Sequence, residues 1–133
     1  MNLLTGQGHE VVDYHLIKDD PDQIRSTIAH AVRDDRVQVI IINGGTGISP
    51  RDSTFEAVEG LLEKRLDGFG ELFRYLTYLE IGSPAIMSRA AAGVYRNRVI
   101  ISMPGSENAV RLALEKLVLP ELPHMIQQIT KSE

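Results

Sequence analysis

The residues best placed to do chemistry lie between Asn43 and Ser53. Gly44-Gly45-Thr46-Gly47 packs three glycines around one hydroxyl, and Arg51-Asp52 follows shortly after. Glycines adopt positive φ and let a ligand approach the backbone closely, so such a loop can offer N–H groups to a phosphate. Arg51 suits a phosphate by its charged fork, and Asp52 suits a hard cation such as magnesium. The loop departs from the common nucleotide fingerprints. No lysine closes it, and Pro50 stands where a dinucleotide loop needs its last glycine. From the pattern alone, a phosphate loop and a glycine turn that merely tightens a connection are equally open.

The flanking elements decide what such a loop can face. Val37–Ile42 is an almost unbroken β-branched run, the pattern of a strand buried on both faces. Ser53-Thr54-Phe55-Glu56 reads as a capping box opening a helix with Phe55, Val58, Leu61 and Leu62 on its buried side. Strand, glycine loop and helix N-terminus together aim N–H groups and a positive dipole end at an anion. Upstream, Glu10–Ile17 reads as a strand. Pro21 opens a helix with Ile24, Ile28, Ala31 and Val32 on one stripe. This predicts a right-handed β–α–β unit with parallel strands.

Downstream, Asp67–Gly70 reads as a turn and Leu72–Leu79 as a helix. Met87–Ala92 reads as a short helical stretch, and Gly93–Ser102 as two strands around Arg96-Asn97. Met103-Pro104-Gly105-Ser106 ends the second strand and opens a helix lined by Val110, Leu114 and Leu117. Pro120 and Pro123 are expected to interrupt the tail before a last amphipathic turn with Met125, Ile126 and Ile129. The expected architecture is α/β: a three-layer, mainly parallel sheet with helices on both faces, in one domain over residues 1–133. Ligands in such folds bind beyond the carboxyl ends of the strands, where Asp19, Gly44–Asp52 and Pro104–Ser106 converge.

Composition narrows the function classes. A hydrophobic share of 43% over 133 residues is enough for a core. There is no cysteine, which removes disulfides, thiolate catalysis and thiolate metal sites. The formal charge of −4 is mild and its signs are mixed, so no nucleic-acid patch is expected. No apolar run reaches the ~20 residues of a membrane span, and no leader pattern opens the chain. A cytoplasmic protein is the expectation. His9, His15, His30 and His124 lack metal-ligand spacing. Phe69, Phe73, Tyr75 and Tyr78 have helical spacing and suit a core or a subunit interface.

Four motifs together resemble the MoaB/MogA family of molybdenum-cofactor biosynthesis proteins, most closely its MoaB members. They are Gly-Gly-Thr-Gly-Ile-Ser-Pro-Arg-Asp (44–52), Gly-Phe-Gly-Glu-Leu-Phe-Arg (68–74), Ser-Arg-Ala-Ala-Ala-Gly (88–93) and Met-Pro-Gly-Ser (103–106). The resemblance implies a MogA-like, molybdopterin-binding fold. It implies transfer of AMP from Mg-ATP to the terminal phosphate of molybdopterin, with the product passed to a MoeA-type molybdate-inserting partner. A molybdopterin-binding protein without catalysis is the alternative, and a scaffold acting through its oligomer surface is a third reading, disfavoured by the short chain.

By the resemblance, Asp52 and Asp19 are catalytic, with magnesium on Asp52 directly or through water. Gly44, Gly45, Thr46, Gly47, Ser49, Arg51, Pro104, Gly105 and Ser106 hold phosphate or nucleotide. Ser88 and Arg89 hold molybdopterin. Glu71 and Arg74 form an ion pair or touch ligand. A homotrimer or homohexamer is implied. Family members carry a further strand and most of a helix before the position of Met1, and Met1–Leu4 is expected to end that helix. A truncated or mis-assigned start is the expectation.

Overall fold

The structure, a computed structural model, describes residues 8–17 and 19–131. Four strands form one sheet: β1 (Val39–Asn43), β2 (Lys64–Arg65), β3 (Ala91–Tyr95) and β4 (Arg98–Met103), in the order β1-β4-β3-β2. β1 runs parallel to β4, with Val39 opposite Val99 and Asn43 opposite Met103. β3 is antiparallel to both β4 and β2. The α/β class and the helices on both faces are as the sequence predicts. Only β1–β4 is a parallel pair among the described strands, so the described sheet is mixed.

Alternation along β4 divides the core in two. Val99, Ile101 and Met103 pack with Phe69 and Phe73 of α3 (Asp67–Ile81), Ala113 of α4 (Glu107–Ala113) and Leu122 of α5 (Leu119–Ile129). Ile100 faces the other way, onto Ile24 and Ile28 of α1 (Pro21–Ala31) and Ala57 and Val58 of α2 (Thr54–Glu59). α1 begins as its sequence requires: Pro21 occupies the first turn, and the Asp20 carboxylate caps it by accepting from the Asp22 N–H at 2.9 Å. Between β3 and β4, Arg96 and Asn97 both take positive φ, 48° and 63°, the geometry a two-residue hairpin needs.

Several sequence expectations are corrected. Residues 10–17 form no strand, and Tyr14, Leu16 and Ile17 are exposed, Leu16 at 87%. A strand is stable only when a neighbour takes its N–H and C=O groups. Among the described residues, no strand pairs with residues 10–17 or with the outer edge of β1. Asp67–Gly70 is the first turn of α3 rather than a separate turn. Gly70 is required there because a Cβ would lie 2.7 Å from the Ala90 carbonyl oxygen.

Ala91 and Ala92 enter β3 instead of a helix. Their burial between β4 and β2 outweighs alanine's helical preference. The tail is not interrupted: α4, a π turn over Leu114–Val118 and α5 follow without a break, with Pro120 in the first turn of α5 and Pro123 inside it. The helix end expected at Met1–Leu4 lies outside the described residues.

Phe73 is fully buried and stacks on Phe69 at 6.2 Å, whereas Leu72 is 53% exposed. Phe73→Ala should therefore lower unfolding stability by about 3–5 kcal/mol. Leu72→Ala should stay within about 0.5 kcal/mol. Urea unfolding of both variants checks the assignment of this face as core.

Candidate functional site

β1 and β4 end side by side, and their loops pack against each other. The Gly44 N–H donates to the Met103 carbonyl at 2.9 Å. Gly105 lies so near Gly44 that a Cβ on it would come within 3.2 Å of the Gly44 Cα. Gly44 and Gly45 hold φ of 104° and 64°, which turns the chain sharply off the strand. Beyond this turn lies a crevice of about 310 Å³, lined by Gly45, Thr46, Gly47, Asp52, Pro84, Met87, Ser88, Pro104 and Gly105.

Among the described residues, the N–H groups of Gly45, Thr46, Gly47 and Ile48 have no acceptor in the protein. Successive free N–H groups in a glycine turn are the kind of backbone that can receive an anion. Asp52 is held on one side only. Its Oδ2 accepts from the Ser49 N–H at 3.0 Å, its own N–H returns to the Ser49 carbonyl at 2.9 Å, and its Oδ1 has no partner among the described residues.

Seven of the residues expected from the sequence thus line one crevice: Gly45, Thr46, Gly47, Asp52, Ser88, Pro104 and Gly105. The others sit around it. Gly44 makes the turn beneath. The Ser49 hydroxyl accepts from the Arg51 N–H at 3.3 Å, and Arg51 is exposed. The Ser106 side chain caps α4, accepting from the Ala109 N–H at 3.2 Å. Glu71 and Arg74 make no ion pair within the described residues. They line a second crevice of about 290 Å³ with Phe55 and Ala90–Ala92.

Sequence reasoning missed Pro84 and Met87. Their signal was the Gly82-Ser83-Pro84 stop immediately before Ser88-Arg89: Gly82 ends α3 at φ 78°, and a 3-10 turn over Ser83–Met87 carries both side chains to the crevice wall.

The start of α2 departs most from expectation. Ser53 is its N-cap, yet no side chain of the expected capping box bonds back to it. Asp19 takes that place from across the chain. Its Oδ1 accepts from the Ser53 N–H at 3.1 Å, the Ser53 Oγ at 2.9 Å and the Thr54 Oγ1 at 2.8 Å. Desolvation raises the Asp19 pKa, but the hydrogen bonds from Thr54 and Ser53 outweigh it and hold the carboxyl below its ordinary value. The Phe55 N–H is also taken, by the Gly45 carbonyl at 3.3 Å. The anion at this helix terminus is therefore the protein's own carboxylate, and the donors left over belong to the glycine loop.

Glu56, the other half of the expected box, pairs with Arg89. Arg89 Nη1 donates to Glu56 Oε2, and that bond holds the Glu56 carboxyl below its ordinary value. The same guanidinium donates to the Thr46 carbonyl at 2.9 Å through Nε and to the Gly47 carbonyl at 2.6 Å through Nη2. It also lies 4.7 Å from the Phe55 ring centroid.

Comparison with known proteins decides the family. A family model described as a probable molybdopterin binding domain matches residues 1–124. Molybdenum cofactor biosynthesis protein B of Bacillus cereus is 51% identical over 124 residues, covering 92% of this chain and 73% of that protein. The chain belongs to the MoaB/MogA family. A crystal structure of a molybdenum cofactor biosynthesis protein B superposes on this MoaB-type chain with a TM-score of 0.95 at 48% identity, covering 98% of this chain and 82% of the other. A tungsten cofactor synthesizing MoaB from Pyrococcus furiosus gives 0.85 at 35%, covering 92% and 78%. The family's proteins serve molybdenum-cofactor biosynthesis. Among the described residues no helix is long and apolar enough to cross a membrane.

The lowered Glu56 pKa carries a sign. A carboxyl with a depressed native pKa stabilises the fold above its ordinary value of about 4.5 and loses that contribution as pH falls through the native value. Thermal unfolding should therefore separate the MoaB-type chain from Glu56→Gln at neutral pH. The gap should narrow as pH falls below the ordinary Glu pKa and close only below the depressed native one, where the parent's carboxylate is protonated too.

Proposed function

We propose that this chain adenylylates molybdopterin, transferring AMP from Mg-ATP to the terminal phosphate. The observation that carries the reading is the run of four N–H groups, Gly45 to Ile48, without an acceptor among the described residues, beside an aspartate with one oxygen unengaged among them. In the reaction a terminal phosphate oxygen of molybdopterin attacks the α-phosphorus of ATP. The bond to the bridging oxygen of the β-phosphate breaks, and pyrophosphate leaves with that electron pair. Two anions must meet, so catalysis is mostly positioning and charge neutralisation.

The chain's own residues supply most of this. These N–H donors would bind phosphate oxygens. Thr46 is buried at 5% exposure and adds a hydroxyl at the crevice wall. Pro104 and Gly105 bring the second loop to within reach of the same ligand, and Ser88 stands on the Met87 side. The donor set also fits magnesium. No cluster of three His, Asp, Glu or Cys groups exists among the described residues, and a single carboxylate completed by substrate phosphates and water is how magnesium is commonly held. Asp52 would hold the ion, which neutralises charge between the phosphates when bound.

The family resemblance further supports delivery of the product to a MoeA-type molybdate-inserting partner, and a homotrimer or homohexamer. Tyr75, Tyr78, Leu79 and Ile81 leave an apolar α3 surface exposed, which suits closed self-association. Light scattering at micromolar protein should give a trimer or hexamer, and Leu79→Glu should shift it toward monomer.

Asp52→Asn tests the metal role. Asn keeps the size and can still accept from the Ser49 N–H, but it removes the charge a hard cation needs. Its melting temperature should match the parent's and molybdopterin should still bind. AMP transfer should fall at least about a hundredfold. Transfer at the parent rate would mean the metal is held elsewhere. Calorimetry showing no magnesium-dependent ATP binding by the parent would remove the transferase reading and leave a molybdopterin-binding module.

A further inference from the structure

We infer that Asp19 and Arg89 are positioning residues which fix the 45–54 loop in its ligand-binding shape while meeting no ligand themselves. The inference rests on the reading of that loop as the anion site, and it departs from the direct contact expected of both residues. Neither one lines the crevice. Each is instead spent on the loop from outside, at opposite ends.

Arg89 works on the carbonyls. A planar trans peptide points each C=O opposite to the next residue's N–H. With the Thr46 and Gly47 carbonyls drawn to Arg89, at 2.9 and 2.6 Å, the N–H groups of Gly47 and Ile48 are turned away from it. These are two of the four donors without an acceptor among the described residues. The Glu56 carboxylate and the Phe55 ring hold the guanidinium in place, so its direction is set before any ligand arrives.

Asp19 works on the other end. Three donors converge on its Oδ1, two of them the hydroxyls of Ser53 and Thr54, and Oδ2 lies 3.3 Å from the Ser53 N–H. Its Oδ2 also lies behind Gly45, where an added Cβ would come within 2.8 Å. The carboxylate therefore fixes residue 53, one position from Asp52, and backs the loop's first crevice residue. All the donors that reach Asp19 are satisfied by a neutral amide oxygen as well as by a carboxylate. A metal would not be.

The test compares the parent with Asp19→Asn, Asp19→Ala, Arg89→Lys and Arg89→Ala. Two readouts are used: deuterium uptake of peptides spanning residues 44–54, and Mg-ATP titration with single-turnover transfer. Asp19→Asn should keep parental uptake and lose less than about tenfold in transfer, while Asp19→Ala should raise uptake and lose about a hundredfold. Arg89→Lys keeps the charge but not the fork, so it should resemble Arg89→Ala in both readouts.

The inference is overturned if Asp19→Asn loses transfer as severely as Asp52→Asn while its loop uptake is unchanged, because Asp19 then acts on the reactants. It is also overturned if Arg89→Lys is parental. If the parent binds no Mg-ATP, the transferase reading fails by itself. The uptake data still decide the inference: unaltered uptake in both alanine variants would sink it.

Discussion

The parallel register of β1 against β4 is the constraint on which the rest of this site depends. Because Asn43 lies opposite Met103, the two strands end at the same edge of the sheet, and the chain leaves both in the same direction. A register offset would separate the Gly44–Gly47 loop from the Pro104–Ser106 turn. It would also reverse which β1 side chains face each core. The close approach of the two loops is eased by the missing side chain at Gly105, where a Cβ would crowd the Gly44 backbone at 3.2 Å. The crevice is thus a by-product of strand pairing, and the energy that holds it open is the burial of Val99, Ile100 and Ile101 on both faces of β4.

The two aspartates show how environment divides labour between identical groups. Asp19 sits where several donors converge on it. Asp52 receives one hydrogen bond from the loop and keeps an oxygen in reserve. A carboxylate surrounded by donors is already neutralised by them, whereas one that faces a crevice of unsatisfied N–H groups can share a ligand with them.

Much of this was legible in the sequence. The β-branched run before Asn43, the glycine loop, Asp52 and the Pro104-Gly105 turn could be placed at one end of a sheet from element order alone. The relation of Asp19 to Ser53 could not. It joins positions 34 residues apart, and a local rule, the Ser53–Glu56 capping box, already offered a complete answer for that helix start. The local rule lost because stronger partners were in reach: Arg89 took Glu56, and Asp19 took the Ser53 N–H. The 10–17 segment failed for a related reason. Alternating apolar residues favour an extended chain, but a strand is a property of a pair, and no pairing partner for this segment lies among the described residues.

The π turn at Leu114–Val118 has a consequence for the long C-terminal helical body. Each residue of an α-helix advances about 100° around the axis. A wider turn acts as one residue let into the spiral, so the two halves keep separate rotational phases. α4 takes its phase from Ser106 at the crevice rim, and α5 takes its phase from Leu122 in the core. Removing one residue from this stretch would bring the halves into step, and one of them would then turn its apolar side to water. The turn works as a phase adjuster that lets the rim and the core be tuned separately in one helical rod.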